Sequence, residues 1–147
     1  MISWIVKKFE ELTAVELYAI LRLRSEVFVV EQDCVFLDMD NKDQYCYHLM
    51  GHKAGILVAY TRLVPPGISY PEASIGRVVT SPVARGGGTG KVLMEKSIEE
   101  AERLFGQTAI KIGAQLYLQK FYQSLGFEQS SDIYDEDGID HIEMTHR

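Results

Sequence analysis

Arg77-Val78-Val79-Thr80-Ser81-Pro82-Val83-Ala84-Arg85-Gly86-Gly87-Gly88-Thr89-Gly90-Lys91 is a strand end, a glycine turn and a helix start in one continuous run. The helical pattern that follows runs from Gly88 to Phe105. Met94, Ile98, Ala101 and Phe105 step by 4, 3 and 4, and Gly106 stands at the stop. A helix start offers unpaired amides and the positive end of a dipole, which suits phosphate. Four of the chain's 12 glycines fall within residues 86–90, a cost that close approach of the backbone to an anion explains better than a plain turn does. Three phosphate templates compete. The P-loop pattern Gly-x-x-x-x-Gly-Lys-Ser/Thr fails at Arg85 and again at Val92. The dinucleotide pattern Gly-x-Gly-x-x-Gly, counted from Gly86, fails at Lys91. Arg/Gln-x-x-Gly-x-Gly/Ala is met in full by Arg85, Gly88 and Gly90.

Outward from this turn, the chain reads as alternating elements. Ser3–Phe9 is a first strand. Thr13 and Glu16 form a capping box, and Leu17, Ile20, Leu21, Val27 and Phe28 continue a helix to about Phe28. Residues 31–44 are polar and acidic and read as loop. Tyr45–Met50 and Ile56–Val64 are strands around the turn His52-Lys53-Ala54-Gly55. Prolines 65, 66 and 71 make a loop, and Ala73–Thr80 is the next strand. Ala109–Ala114 is a strand, and Leu116–Leu125 is a short helix stopped by Gly126. Phe127–Tyr134 and Ile139–Met144 pair across Asp137-Gly138. The order β-α-β-β-β-α-β-α-β-β predicts an α+β fold, a mixed sheet with helices on its faces.

The length, 147 residues, is one domain's worth, spanning residues 1–147. Hydrophobic residues at 46% supply a core, so whole-chain disorder is excluded. A net charge of −6 argues against nucleic-acid binding. The longest apolar runs, Val27–Val30 and Ile56–Tyr60, are far too short to span a membrane, and Lys7-Lys8 after the first apolar stretch is the reverse of an export signal. Cys34 and Cys46 have neither metal-site nor disulfide-scaffold spacing, so no metal is expected and the setting is the reducing cytoplasm.

A second motif supports the phosphate turn. Phe121-Tyr122-Gln123-Ser124-Leu125-Gly126-Phe127 fits the aromatic-Tyr-x-x-x-Gly-Phe helix that accompanies Arg/Gln-x-x-Gly-x-Gly/Ala in the GNAT superfamily of acyl-CoA-dependent N-acyltransferases, and the element order matches nearly end to end. Leu23-Arg24, Val27 to Gln32, Ile75-Gly76-Arg77-Val78, Gly113-Ala114-Gln115 and the segment from Tyr134 to His141 resemble its ElaA-like branch. One departure is Gln115, which stands where many relatives carry Asn seven residues before the tyrosine.

The resemblance implies a mostly antiparallel sheet of about 6–7 strands, with acetyl-CoA in a cleft between two splayed parallel strands. It implies that the amides of Arg85, Gly86, Gly87, Gly88, Thr89 and Gly90 hold the pyrophosphate. Val78, Val79 and Thr80 pair with the pantetheine arm as with an added strand, and Gln115 bonds that arm. An amide near Val78 polarises the thioester carbonyl. Tyr122 protonates the leaving CoA thiolate, while an amine acceptor attacks directly. Homodimers are common in the family, and no feature of this sequence decides the oligomeric state. A non-catalytic acyl-CoA-binding or regulatory module is the alternative, and it would need the turn but not Tyr122.

Glu31, His48, His141 and Glu143 are the candidates for the base or for acceptor contacts, and the sequence does not choose among them. Tyr45, Tyr47 and Tyr70 are core or surface aromatics, or else line an acceptor site. Arg24 is a buried partner for Glu31 or for an Asp of the next loop, or a solvated helix residue. Residues 31–43 hold five acids and one base, and residues 132–143 hold six acids and no Lys or Arg. Both stretches are solvated loops, or else they flank an acceptor mouth and favour a cationic amine.

Overall fold

The computed structural model describes residues 1–147. The strands are β1 (Ser3–Lys8), β2 (Tyr47–Lys53), β3 (Ile56–Val64), β4 (Ser74–Thr80), β5 (Ile110–Gln115), β6 (Phe127–Gln129), β7 (Tyr134–Glu136) and β8 (Ile139–His146). The helices are α1 (Ala14–Arg24), α2 (Thr89–Phe105) and α3 (Gln119–Gln123). An antiparallel sheet β1-β2-β3-β4 stands beside a second one in which β8 pairs with β5, β6 and β7. The fold is the expected mixed α+β arrangement.

The two sheets meet where β4 and β5 begin. Ala73 and Ile110 form a parallel bridge, in which the Lys111 amide donates to the Ala73 carbonyl at 2.9 Å. No further rung joins β4 to β5. The strands therefore part toward Thr80 and Gln115, and a cleft opens between them.

Burial on both faces explains the apolar runs of the central strands. On one face Leu49, Ala59, Leu63 and Ile75 pack with Leu93, Met94 and Ala101 of α2, and this cluster continues through Ile112, Phe127 and Ile142. On the other, Met50, Tyr60 and Val79 pack with Ile20, Leu23 and Val27. The neighbours Leu49 and Met50 thus serve opposite layers, as the period of two requires.

The capping box of α1 is present: the Glu16 amide donates to Thr13 Oγ1 at 3.1 Å, and the Thr13 amide to Glu16 Oε1 at 2.9 Å. Beyond Arg24 the expected α-helix to Phe28 becomes a π-helical turn, Ser25–Glu31. The Gln32 amide reaches back five residues to the Val27 carbonyl, and Cys34 likewise to Val29, each at 3.1 Å.

The segment after this turn is held by charge. Arg24 is fully buried and donates to Asp38 at 2.9 Å and to Asp43 at 2.8 Å. Arg62 donates to Asp40 at 2.8 and 2.9 Å and to Asp43 at 3.0 Å. Arg77 donates to Asp38 Oδ1 at 2.8 Å and to the Asp38 carbonyl at 2.7 Å. Three arginines thus neutralise three aspartates. This corrects both readings for Asp38, Asp40 and Asp43, which form neither a solvated loop nor an acidic mouth, and it gives Arg24 its aspartate partners; Glu31 and Asp33 stay exposed.

The strand expected over Phe127–Tyr134 is two strands, which raises the count to eight. Between them the Glu143 amide donates to Ser131 Oγ at 2.8 Å. A serine hydroxyl thus takes a ladder position and lets the chain bulge. The turn between β7 and β8 forms as read, with Asp137 and Gly138 at φ of 53° and 81°.

Candidate active site

The cleft between the splayed strands has a volume of about 460 Å³. Gly76, Val78, Val79 and Thr80 of β4 line one wall, and Ile112, Gly113 and Gln115 of β5 the other. The π turn contributes Phe28 and Glu31, and β7–β8 contribute Glu136, Asp137 and His141. Tyr122 of α3 and Arg85 also reach it.

A β-bulge shapes the β4 wall. The register with β3 shifts between Tyr60 and Arg62, and Arg77 sits at φ of 50°. A non-glycine residue there is strained, and its two bonds to Asp38 hold it in place. Past Ala73 the outer edge of β4 has no strand partner, so it presents open backbone groups to the cleft.

The glycine turn follows. Gly86, Gly87 and Gly88 all take positive φ, at 84°, 70° and 79°, a run no other residue type tolerates well. Gly88 caps α2 without a side chain. The seven consecutive amides from Arg85 to Lys91 donate to no group of the chain. A turn of free amides at a helix start is an anion cradle. The cleft wall ends at Arg85, and Gly86 to Gly90 lie past it on the surface.

Tyr122 is buried, with its ring edge-on to Phe121 and Phe127 at centroid distances of 5.1 and 5.9 Å. Its hydroxyl makes no hydrogen bond within the chain and opens on the cleft. Burial pushes its pKa up to about 12, so it is a proton donor at neutral pH.

The four base or acceptor candidates separate. His141 lines the cleft; its Nδ1 faces the Ile139 carbonyl at 2.8 Å and its Nε2 lies 3.5 Å from Glu136. Glu31 lines it too, but accepts both Nη groups of Arg85 at 2.6 and 2.8 Å, which lowers its pKa. His48 is not at the cleft. It is buried against Phe9 and Tyr60, with one ring nitrogen 2.7 Å from Tyr60 Oη and the other 2.9 Å from the Asp43 carbonyl. Burial lowers its pKa. Glu143 is also outside, paired with Lys111 at 3.7 Å. Nor do Tyr45, Tyr47 or Tyr70 line the cleft: Tyr45 is exposed, Tyr47 packs on Phe105, and Tyr70 lies under the Lys111 ammonium.

Sequence reasoning passed over several wall residues. Phe36, Cys34 and Tyr117 reach the cleft from loops whose positions depend on distant contacts. Glu136 and Asp137 stood in the second acidic stretch, and that stretch does contribute to the wall.

The family model described as an acetyltransferase (GNAT) domain matches residues 15–147. The protein ElaA of Escherichia coli is 41% identical over 147 residues, covering 99% of this chain and 96% of its own. Its crystal structure matches with a TM-score of 0.94 at 40% identity, covering all of both chains. The crystal structure of an acyl-CoA N-acyltransferase from Pseudomonas aeruginosa matches with a TM-score of 0.96 at 43% identity, again over all of both chains. By sequence and by fold, the chain belongs to the GNAT acetyltransferase family, in its ElaA-like branch.

Proposed function

We propose that this protein is a single-domain N-acetyltransferase that moves the acetyl group of acetyl-CoA to an amine. The observation that carries the reading is one cleft lined by both Tyr122 and Arg85, with a free anion cradle beginning at Arg85. The amides of Arg85 to Gly90 would hold the pyrophosphate. Val78, Val79 and Thr80 on the open edge of β4, with Gln115 opposite, would hold the pantetheine arm. An amide near Val78 would receive the thioester oxygen as it gains charge.

Tyr122 then serves the leaving sulfur. Burial keeps its hydroxyl protonated at neutral pH, so it can donate a hydrogen bond as the sulfur gains charge and give up its proton as CoA leaves. The amine must lose a proton as it attacks. We assign this task to His141, the imidazole that lines the cleft, with Nδ1–H donating to the Ile139 carbonyl and Nε2 as the basic nitrogen once it turns from Glu136 to the amine. Glu136 and Asp137 make the acceptor end acidic and favour a cationic amine.

No helix is long and apolar enough to cross a membrane, and both cysteines are unpaired. The test is CoA release from acetyl-CoA with a panel of amines. Amine-dependent release is the expected result. Thermal stabilisation by acetyl-CoA with no release for any amine would favour a binding module instead.

Gly88→Val tests the cradle separately. Nothing crowds a Cβ at Gly88, so the cost is a β-branched residue at φ of 79°. The variant should keep its fold by circular dichroism and lose CoA binding by at least tenfold in calorimetry. Unchanged affinity would remove the turn from the cofactor site.

A further inference from the structure

Two neighbouring residues span the open end of the cleft. Glu31, the last residue of the π turn, holds the guanidinium of Arg85. Gln32, the next residue, accepts a hydrogen bond from Gln115 Nε2 through its side-chain oxygen at 3.3 Å. Arg85 follows β4, and Gln115 is the last residue of β5. The two strands share one rung, between Ala73 just before β4 and Ile110 at the start of β5, and none later. Their far ends are therefore the lips of the cleft, and one dipeptide is tied to both. All four side chains line the cleft.

The chemistry of the two ties is that of acyl-CoA. A carboxylate on the Arg85 guanidinium stands where a phosphate oxygen would bind. A primary amide on Gln115 stands where an amide of the pantetheine arm would bind. We propose that Glu31-Gln32 is a strap that occupies the cofactor's own contacts and must let go for acyl-CoA to enter; the proposal rests on the acyl-CoA reading above.

The strap is built to release. Glu31 and Arg85 each keep about 41% of their side chain exposed, and an ion pair so wet is weak and screened by salt. The Gln32–Gln115 bond is long and uncharged. A pyrophosphate brings more charge and can also use the free amides from Arg85 onward, so it displaces a single carboxylate. The backbone of the strap is held, since the Gln32 and Cys34 amides bond the Val27 and Val29 carbonyls and from Asp38 onward the chain is fixed to buried arginines, so release is a movement of the two side chains alone.

The experiment is binding of CoA itself, measured by calorimetry and stopped flow, to the full-length protein and four variants. Glu31→Ala should tighten CoA about two- to fivefold and speed its association, and Gln32→Ala should speed association. Arg85→Gln should weaken binding, and on that background Glu31→Ala should have no further effect. Weaker or unchanged binding by Glu31→Ala would make Glu31 a support for Arg85 and overturn the strap. Tightening that persists without Arg85 would be through-space repulsion, and it too would overturn the strap. Failure of CoA to bind the unaltered protein would sink the acyl-CoA reading and the strap with it. Binding to the unaltered protein that Glu31→Ala fails to tighten would sink the strap alone.

Discussion

Replacing Tyr122 with Phe should lower turnover by about 10²-fold or more and leave CoA affinity unchanged. The substitution deletes one oxygen. The ring keeps its edge contacts with Phe121 and Phe127, and the lost hydroxyl has no partner within the chain, so no hydrogen bond is broken on folding. The melting temperature should therefore hold or rise slightly. Steady-state kinetics with acetyl-CoA and a productive amine, read beside calorimetry with CoA, separates the two effects. The pH profile adds a second check. Because burial pushes the hydroxyl to about 12, the acid form persists, and the unaltered protein should show no loss of rate from this group between pH 8 and 10. Turnover in the Phe variant equal to that of the parent would take Tyr122 out of the reaction.

Replacing Arg24 with Met should cost about 3 kcal/mol of stability or more. Arg24 is fully buried, and two carboxylates depend on it. Removing one member of a buried charge cluster leaves its partners uncompensated, which typically costs 3–5 kcal/mol. Arg62 and Arg77 still reach Asp43 and Asp38, which sets the estimate at the lower end. Equilibrium unfolding in urea measures the difference, and a loss below about 1 kcal/mol would show the cluster to be dispensable.

The same cluster makes the fold acid-sensitive. Burial opposes ionisation of Asp43 and Asp40. For Asp43 the guanidinium groups of Arg24 and Arg62 outweigh it, and for Asp40 those of Arg62 and Arg77 do; both carboxyls end below the usual range. Their contribution is complete above about pH 4, where the unfolded chain is also ionised, and is lost as the pH falls through the folded values. His48 adds to this slope. Burial lowers its pKa below the usual 6.5, so its contribution is complete above that pH and fades below it as the unfolded chain takes up a proton. Unfolding free energy should therefore fall steadily from pH 7 downward.

How much of this was legible depends on how far apart the partners lie. Thr13 and Glu16, Gly106, and Asp137-Gly138 act within a few residues, and each stands where its local chemistry puts it. The glycine turn was legible for the same reason: a run of positive φ is written in residue type. Of the Arg–Asp cluster only Arg24 was legible, as a buried partner for an Asp of the next loop; Arg62, Arg77 and the choice of acids were not. The cluster's partners are 14 to 39 residues apart, and nothing local tells an acid that will meet a buried arginine from one that will face water. The acidic stretch 31–43 therefore looked like surface charge. The π turn was hidden because its residues fit an α pattern equally well. His48 was misplaced because alternation along a strand does not say which layer a given face meets.

The single rung at Ala73–Ile110 has a mechanical consequence. The molecule is two hydrogen-bonded halves with one seam, and the seam is stitched at one end only. Along β4 beyond that point no second strand shields the ladder on the outer side, nor along β5 on its inner side. The amides of Val78 to Thr80 and Ile112 to Gln115 are therefore the places where thermal breathing should concentrate. An extended molecule laid between the lips completes the missing rungs. It would act as a removable strand, and the two halves would then resist solvent and heat as one continuous sheet.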